Sequence, residues 1–416
     1  MQFYNQTLSV LTILSCMFLL TMSSCDKEDD VDEKSNKYQT YEIASAGNEQ
    51  DSTQSALIRM DDNDTVEFRG GNFNFKSTLS VEGKTGIVIK GQGQNSTTLS
   101  FANQQAGAEG LRLTNCDSVI VEDLTIENTI GDALKAKDCN VIAFYNVGTV
   151  WTGVPSSDNG AYGLYPVKCT DVMIDNCYAR GAADAGIYVG QTNRAIIKNS
   201  IATKNVAGIE IENTIKADVF DNRAHNNTGG ILVFDLPDLT QYGRQCRIFD
   251  NLVEDNNFRN FASGGVVSRV PAGTGILAIS TEEVEIFDNQ ILNNNRLGTA
   301  VINYEEIESI NDPNFDPYPR QIEIHDNRYH RTTDMPNPTT PFGTIFSNQF
   351  AKDSVPDIQL GGNFAPNSGP SGSICIKNNQ NANAVVLNIL DFNLDYNITP
   401  HRCDHPALPE VTVATP

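Results

Sequence analysis

The sequence predicts an all-β fold, a single-stranded parallel β-helix in which one chain winds into stacked coils, and three observations predict it. First, one pattern recurs: GIYVGQTNRAIIKN from Gly186, GIEIENTIKADVFDN from Gly208, GILVFDLPD…CRIFDN from Gly230 and GILAISTEEVEIFDN from Gly275, with weaker copies from Gly110, Ala133 and Gly163. Its closing positions, Asp123, Asn146, Asn176, Asn199, Asn222, Asn251, Asn289 and Asn327, are about 23 residues apart, or that plus an insertion, and such a fixed period marks a solenoid. Second, apolar residues alternate with period two (Ile187, Val189; Ile209, Ile211) in β-branched runs too short for helices. Third, glycine or asparagine separates the runs.

A short strand cannot bury its apolar side alone, so each coil must stack on the next, pairing strands in parallel and stacking equivalent residues along the axis. Cys116, Cys139 and Cys169, continued by Thr192 and Thr214, are expected to form one inward ladder. The closing asparagines are expected to form another, bonding backbone at each turn.

From roughly residue 54 to 395 the sequence resembles the right-handed parallel β-helix proteins of the pectate-lyase-like superfamily. Its opening segment, IRMDDNDTVEFRGGNFNF through GIVIKGQGQNSTTLSF, looks like the entry coils of such proteins. The runs NGAYGLYPVKC, DAGIYVGQ, VAGIEIEN and NTGGILVFDLP resemble a bacterial β-helix-repeat family without an assigned activity. The right hand of the coil is implied by this resemblance, since periodicity does not set it. The catalytic motifs of better-known members are missing: GLYPVKC stands where a DPHD-like stretch of mannuronan epimerases would be sought. Neither the paired-Asp, GHG and RIK pattern of polygalacturonases nor the RxPxxR pattern of many pectate lyases is present.

In chain order, residues 1–24 read as a lipoprotein signal peptide: an apolar run from Leu8 to Leu20 leads to Ser23-Ser24-Cys25, with Cys25 the expected lipidation site. The run is short for a membrane span, although the segment before it lacks Lys and Arg. Residues 25–50, opening with the acidic Asp26-Lys27-Glu28-Asp29-Asp30, read as a flexible tether, and the expected location is an outer-membrane lipoprotein facing the cell surface or periplasm. Residues 51–364 are assigned to the β-helix and 365–416 to terminal coils, a C-terminal cap and a tail. Insertions at Trp151–Gly160, Leu236–Arg244, Phe258–Gly273 and Tyr304–Arg320 are expected on turns. Cys116, Cys139, Cys169, Cys177 and Cys246 read as buried thiols, whereas Cys375 and Cys403 are a candidate disulfide, permitted outside the cytoplasm. No CxxC or Cys/His grouping suggests zinc, and a net charge of −23 with an envelope address disfavours nucleic acid.

If the first and third residues after each glycine point inward, the second and fourth point to solvent. The second column reads Arg112, Lys135, Tyr165, Tyr188, Glu210, Leu232, Leu277, and the fourth Thr114, Lys137, Val167, Gly190, Glu212, Phe234, Ile279. From Lys135 to Glu210 this stripe is on the order of 15 Å long, a few sugar units. Aromatic faces beside charged hydrogen-bonding groups suit a polysaccharide, with uronate-containing chains among the candidates. Lys135, Tyr165, Tyr188, Glu210 and Asp184 are the candidate catalytic residues, and Arg112, Trp151, Tyr162, Gln191, Glu212 and Asp235 the candidate binding residues. Lyase or uronate epimerase chemistry is the leading expectation, with Lys135 and Arg112 neutralising the carboxylate and a tyrosine as base or acid. Hydrolysis would instead use two of the carboxylates, and several together would suit Ca2+. The alternative is a non-catalytic glycan-binding or scaffold lipoprotein, with the apolar outward residues Leu232, Phe234, Leu277 and Ile279 under an insertion or an envelope partner. None of the five histidines falls in the stripe.

Overall fold

The coil Ala185–Thr203 shows how the repeat becomes structure. Its three strands, Ala185–Gly190, Asn193–Lys198 and Ile201–Thr203, are joined by turns whose pivots Gln191, Asn199 and Lys204 have φ of 47°, 50° and 58°, a left-handed conformation that lets the chain change direction in a residue or two. The computed structural model describes residues 38–351, 354–388 and 393–416. The expected signal segment 1–24, Cys25 and the tether up to residue 37 lie outside the described residues. Thr40–Ile43 already pairs in parallel with Thr65–Phe68, so from there the expected tether is strand. The helix Glu49–Arg59 then drops Ala56 and Leu57 into the core.

Among the described residues the first strand of each coil enters a 12-stranded sheet and the other two enter a 20-stranded sheet. Pairing within both is parallel, save for Asn393–Asp395, which runs antiparallel on Ala384–Asn388. Alternation works as expected: Ile187, Val189, Ile209 and Ile211 point into one continuous core. The cysteine–threonine ladder also forms, with the Cys116 amide donating to Cys139 Sγ, Cys169 to Thr192 Oγ1 and Thr192 to Thr214 Oγ1, each at 3.4 Å. Cys116, Cys139, Cys169, Cys177 and Cys246 are buried free thiols, and Cys375 is bonded to Cys403.

The asparagine ladder differs from expectation by one residue in its first half. The amides of Ser200, Asn222, Asn251 and Asn289 each donate at 3.0 Å to the side-chain oxygen of Asn222, Asn251, Asn289 and Asn327. Cys177 donates to Ser200 Oγ in the coil before, also at 3.0 Å. The ladder is therefore Cys177, Ser200, Asn222, Asn251, Asn289 and Asn327, continued by Asn379, whose side-chain oxygen accepts the Asn327 amide at 3.1 Å. Asp123, Asn146, Asn176 and Asn199 occupy the preceding left-handed position (φ 57°, 53°, 55° and 50°), which later coils fill with Asp221, Asp250, Asp288 and Asp326. Both positions favour a short amide or carboxylate, one for its hydrogen bonds and one for its φ, so spacing alone merged them.

A second ladder, unanticipated, lies at the next turn: the Asn205, Asn227 and Asn256 amides donate to the side-chain oxygens of Asn227, Asn256 and Asn294 at 2.9, 3.0 and 3.1 Å. It explains the repeat's glycines. A Cβ on Gly186 would lie 2.4 Å from the Asn205 Nδ2, and one on Gly208 2.8 Å from that of Asn227.

The C-terminal tail crosses the coils. On the outer face of the 20-stranded sheet, Asp218, Arg247, Glu285 and Glu323 form one column in register. The tail's amides of His405, Leu408 and Val411 donate to Glu323, Glu285 and Asp218 at 3.0, 3.1 and 3.1 Å.

The corrected register has a direct test. Asn251→Gly removes a buried amide that pairs with two neighbouring coils and is expected to cost about 2–3 kcal/mol. Asn199→Gly keeps a residue suited to positive φ and is expected to cost less than about 1 kcal/mol. Denaturant unfolding curves that shift equally would sink the assignment.

Candidate active site

The outer face of the 12-stranded sheet carries the candidate residues in columns. Strand register aligns Arg112 with Lys135 and Lys135 with Tyr165, then Tyr188 with Glu210 and Glu210 with Leu232. Off the inner core these side chains do point outward, but solvent is not what most of them meet. Tyr188, Glu210, Leu232, Phe234, Leu277 and Ile279 are all nearly or fully buried, at 3, 2, 0, 1, 4 and 1% exposure. The chain folds back over them, supplying Phe261, Val267 and Val270, then Tyr304 and Phe315, and Phe346 and Phe350 to a second apolar cluster. The apolar stripe is thus covered by the chain itself, which removes it as evidence for an envelope partner.

What remains open is the end of the stripe around Tyr162 and Tyr165. Three tyrosines pack there: the ring of Tyr162 lies 4.4 Å from that of Tyr165 and 4.6 Å from that of Tyr188. Lys135 Nζ sits 4.6 Å from the Tyr165 ring centre. Lys135 is not a free cation, because it pairs with Asp132 at 3.1 Å and Glu109 at 3.9 Å. Arg112 is exposed and lies 3.9 Å from the same Glu109. The expectation of a locally positive groove is therefore corrected: the two cations are matched by Glu109 and Asp132, and the carboxyl groups of Asp184, Glu210 and Glu212 lie nearby. Glu109 was missed from sequence. The residue just before each repeat glycine reads Glu109, Asp132, Tyr162, and that column would have revealed it.

Burial controls the protonation of this cluster. The Tyr188 hydroxyl donates to Glu212 at 2.7 Å. Its ring reaches there by lying across Gly190, where a Cβ would come within 2.1 Å of the hydroxyl. Burial first, and neighbouring carboxylates second, raise all three phenols far above their usual range, so they act as donors and a tyrosine base is disfavoured. Burial also raises Glu212 and drives Glu210 well up. Asp184 receives the Tyr162 hydroxyl on Oδ2 at 3.3 Å, its Oδ1 has no partner, and burial with the nearby Glu212 pushes it up to about 7. Asp132 is raised by burial but pulled back by Lys135.

Three expected binding residues have structural roles instead. Trp151 is 4% exposed in the inner core and its indole donates to the Thr129 carbonyl at 2.8 Å, so it offers no face to a sugar. Asp235 accepts the Gly243 amide on both oxygens at 2.8 Å and closes the loop over the sheet. Gln191 accepts the Thr240 hydroxyl at 2.7 Å and clips the same loop down. Among the described residues no group of three or more His, Cys, Asp or Glu side chains is arranged to hold a metal ion.

A family model described as the right-handed beta helix region matches residues 109–316. Among solved structures, the A-module of mannuronan C-5 epimerase AlgE4 from Azotobacter vinelandii is similar over 88% of this chain and 96% of its own, with a TM-score of 0.51 and 13% identity. Polygalacturonase from Erwinia carotovora ssp. carotovora gives a TM-score of 0.47 at 12% identity, over 72% of this chain and 93% of its own. At such identities the likeness is one of fold. No curated protein matches the sequence.

Trp151, the chain's single tryptophan, reports on these assignments. Its emission is expected to be that of a buried indole, resistant to iodide quenching and unmoved by added glycans. Quenching relieved by a glycan would return Trp151 to the binding surface.

Proposed function

The chain belongs to the right-handed β-helix family, and we propose that it is a carbohydrate-active enzyme working at the open tyrosine–carboxylate patch. The observation that carries the proposal is the asymmetry between Asp184, pushed up to about 7 with one oxygen unpartnered, and Asp132, paired with Lys135 at 3.1 Å. Unlike environments that separate two carboxyl groups assign acid and base.

Asp132 and Asp184 bracket Tyr162. Ala185 lies opposite Tyr162 on one side, and continuing the pairing of Leu164 with Leu134 puts Asp132 opposite it on the other. The two backbones are two coils apart, on the order of 10 Å, and the reading requires their carboxyl groups to flank the scissile bond about 6.5–9.5 Å apart. A sugar ring resting on Tyr162 and Tyr165 would receive the Asp184 proton on its glycosidic oxygen as that bond to the anomeric carbon breaks. Asp132 would take a proton from the water that attacks that carbon. Lys135 and Arg112 are already matched by Asp132 and Glu109, so the patch offers no net positive charge to a polyuronate and suits a neutral glycan. This shifts the preferred chemistry from lyase or epimerase to hydrolysis. The second reading keeps uronate chemistry, supported by Lys135 above the Tyr165 ring and by a fold shared with an epimerase of mannuronan.

The test is release of reducing ends from neutral polysaccharides, alongside near-ultraviolet absorbance of unsaturated uronate from acidic ones. Reducing ends lost by about 100-fold or more in Asp184→Asn and Asp132→Asn would support hydrolysis. Unsaturated product lost in Lys135→Ala would support the second reading. Glycan binding without turnover would leave a binding module.

A pH dependence follows. The acid must carry its proton, so turnover is expected to fall as pH rises through about 7. Stability follows the same sign. The folded value lies above the unfolded one of about 4, so the contribution is full below that and lost as pH rises through the folded value. Asp184→Asn is accordingly expected to raise the unfolding temperature at about pH 8 and to leave it unchanged at about pH 4. The opposite pattern would remove Asp184 as the acid.

The envelope address is part of the proposal. The Cys375–Cys403 disulfide supports an oxidising compartment. Labelling of cells with a palmitate analogue is expected to mark the protein and to fail in Cys25→Ala; labelling that persists would refute lipidation at Cys25.

A further inference from the structure

The C-terminal disulfide stands at the edge of an open cavity and at the root of the tail. Beside the last coils lies a space of about 440 Å³ whose lining includes Ile358, Ile376, Asn379, Arg402, Cys403 and Asp404. Cys403 is half-buried there, whereas Cys375, to which it is bonded, is fully buried. His401, two residues earlier, is buried with its Nδ1 2.9 Å from the Ile374 carbonyl oxygen, so what the disulfide governs is the segment after it. That segment turns at once along the column of Asp218, Arg247, Glu285 and Glu323. Asp404, which is exposed, pairs with Lys377, and His405, Leu408 and Val411 make the three backbone bonds to the column.

The seat itself is loosely filled. Of residues 404–411 only Val411 is buried, while Pro406, Ala407, Pro409 and Glu410 are exposed. A second space of about 180 Å³ lies between residues 405–409 and the sheet, where Glu285 and Glu323 bound it. The Nε2 of His405 is buried without a hydrogen-bond partner. Voids and unpaired polar atoms both weaken a contact, and an exposed ion pair adds little. We propose that Cys403 is a thiol-exchange site and the tail a strap that the disulfide keeps seated. A small thiol loses its proton to water, enters the cavity as the thiolate and attacks Cys403 Sγ. The mixed disulfide forms, the Cys375–Cys403 bond breaks, and the Cys375 thiolate leaves and takes up a proton. A second thiolate attacks the reductant's sulfur, releasing Cys403, which is protonated in turn, and the reductant departs as its own disulfide. With the crosslink gone, residues 404–416 leave the sheet while the coils stay stacked. The proposal is independent of the sugar-site reading.

Reduced glutathione added to the folded, oxidised full chain tests it, with acid trapping and hydrogen exchange read by mass spectrometry. The trapped adduct is expected on Cys403 and not on Cys375. Exchange in the peptide 404–416 is expected to quicken by about tenfold or more on reduction, and to slow again on reoxidation. Exchange around Asn227 and Asn256 should not change. The double variant Cys375→Ser, Cys403→Ser should show the fast tail without any thiol, and the treated wild-type chain gives the same reading should that variant not fold. A disulfide that resists the thiol in the folded protein would overturn the proposal. So would an adduct on Cys375, a tail still protected after full reduction, or coils that lose protection along with it.

Discussion

The constraint on which the structure depends is a side-chain amide that serves two coils at once. Asn227 accepts the Asn205 backbone amide at 2.9 Å and donates to the Ala202 carbonyl, also at 2.9 Å. It is fully buried, where an unmet amide would cost about 1–3 kcal/mol. Repeated through Asn256 and Asn294, this exchange satisfies turns that would otherwise carry orphan backbone groups into the interior. It needs an empty place opposite, which the repeat glycines supply. The rise between coils is thereby held constant, and outward side chains from successive coils keep their columns. Lys135, Tyr165 and Tyr188 meet because of glycines and asparagines that touch none of them.

That geometry sets the electrostatics of the patch. Columns bring Lys135, Tyr165, Tyr188 and Glu210 onto neighbouring coils and set Glu212 beside them. Glu212 is satisfied by the Tyr188 hydroxyl and Asp132 by Lys135. Glu210 keeps one oxygen without a partner and takes up a proton as the way to remain buried. Asp184, less enclosed, is left near the middle of the physiological range. The graded exposure of one stripe, from Arg112 in solvent to Leu232 beneath the covering segments, makes four carboxyl groups chemically unlike.

Much of the fold was legible because a solenoid repeats its evidence. Period-two alternation gave the inward Ile187 and Val189, and the spacing of Cys116, Cys139 and Cys169 gave a ladder that Thr192 and Thr214 continue. The asparagine register failed between Asn199 and Ser200, where two adjacent positions accept similar residues for different reasons. The site was legible in part. Periodicity says which side chains leave the core, as Tyr188 and Leu232 do, but not what lands on them. The cover comes from Phe261, Phe315 and Phe346, residues whose contacts follow no repeat. Trp151 followed none either; it sits in an irregular connection yet turns inward to reach the Thr129 carbonyl.

The tail adds a matter of timing. Glu323, Glu285 and Asp218 receive the backbone amides of His405, Leu408 and Val411, so one extended segment spans coils separated by more than a hundred residues of sequence. Coils can assemble progressively, each on its predecessor. The segment cannot dock until the last of them is in place, because its anchors are spread along the stack. Asp218 and Glu323 are held meanwhile by Arg247 and Lys377, and the tail adds its three backbone bonds only after the coils that carry them have stacked. Chains truncated before residue 405 would keep the paired strands and lose the one segment that ties coils far apart in sequence directly to each other.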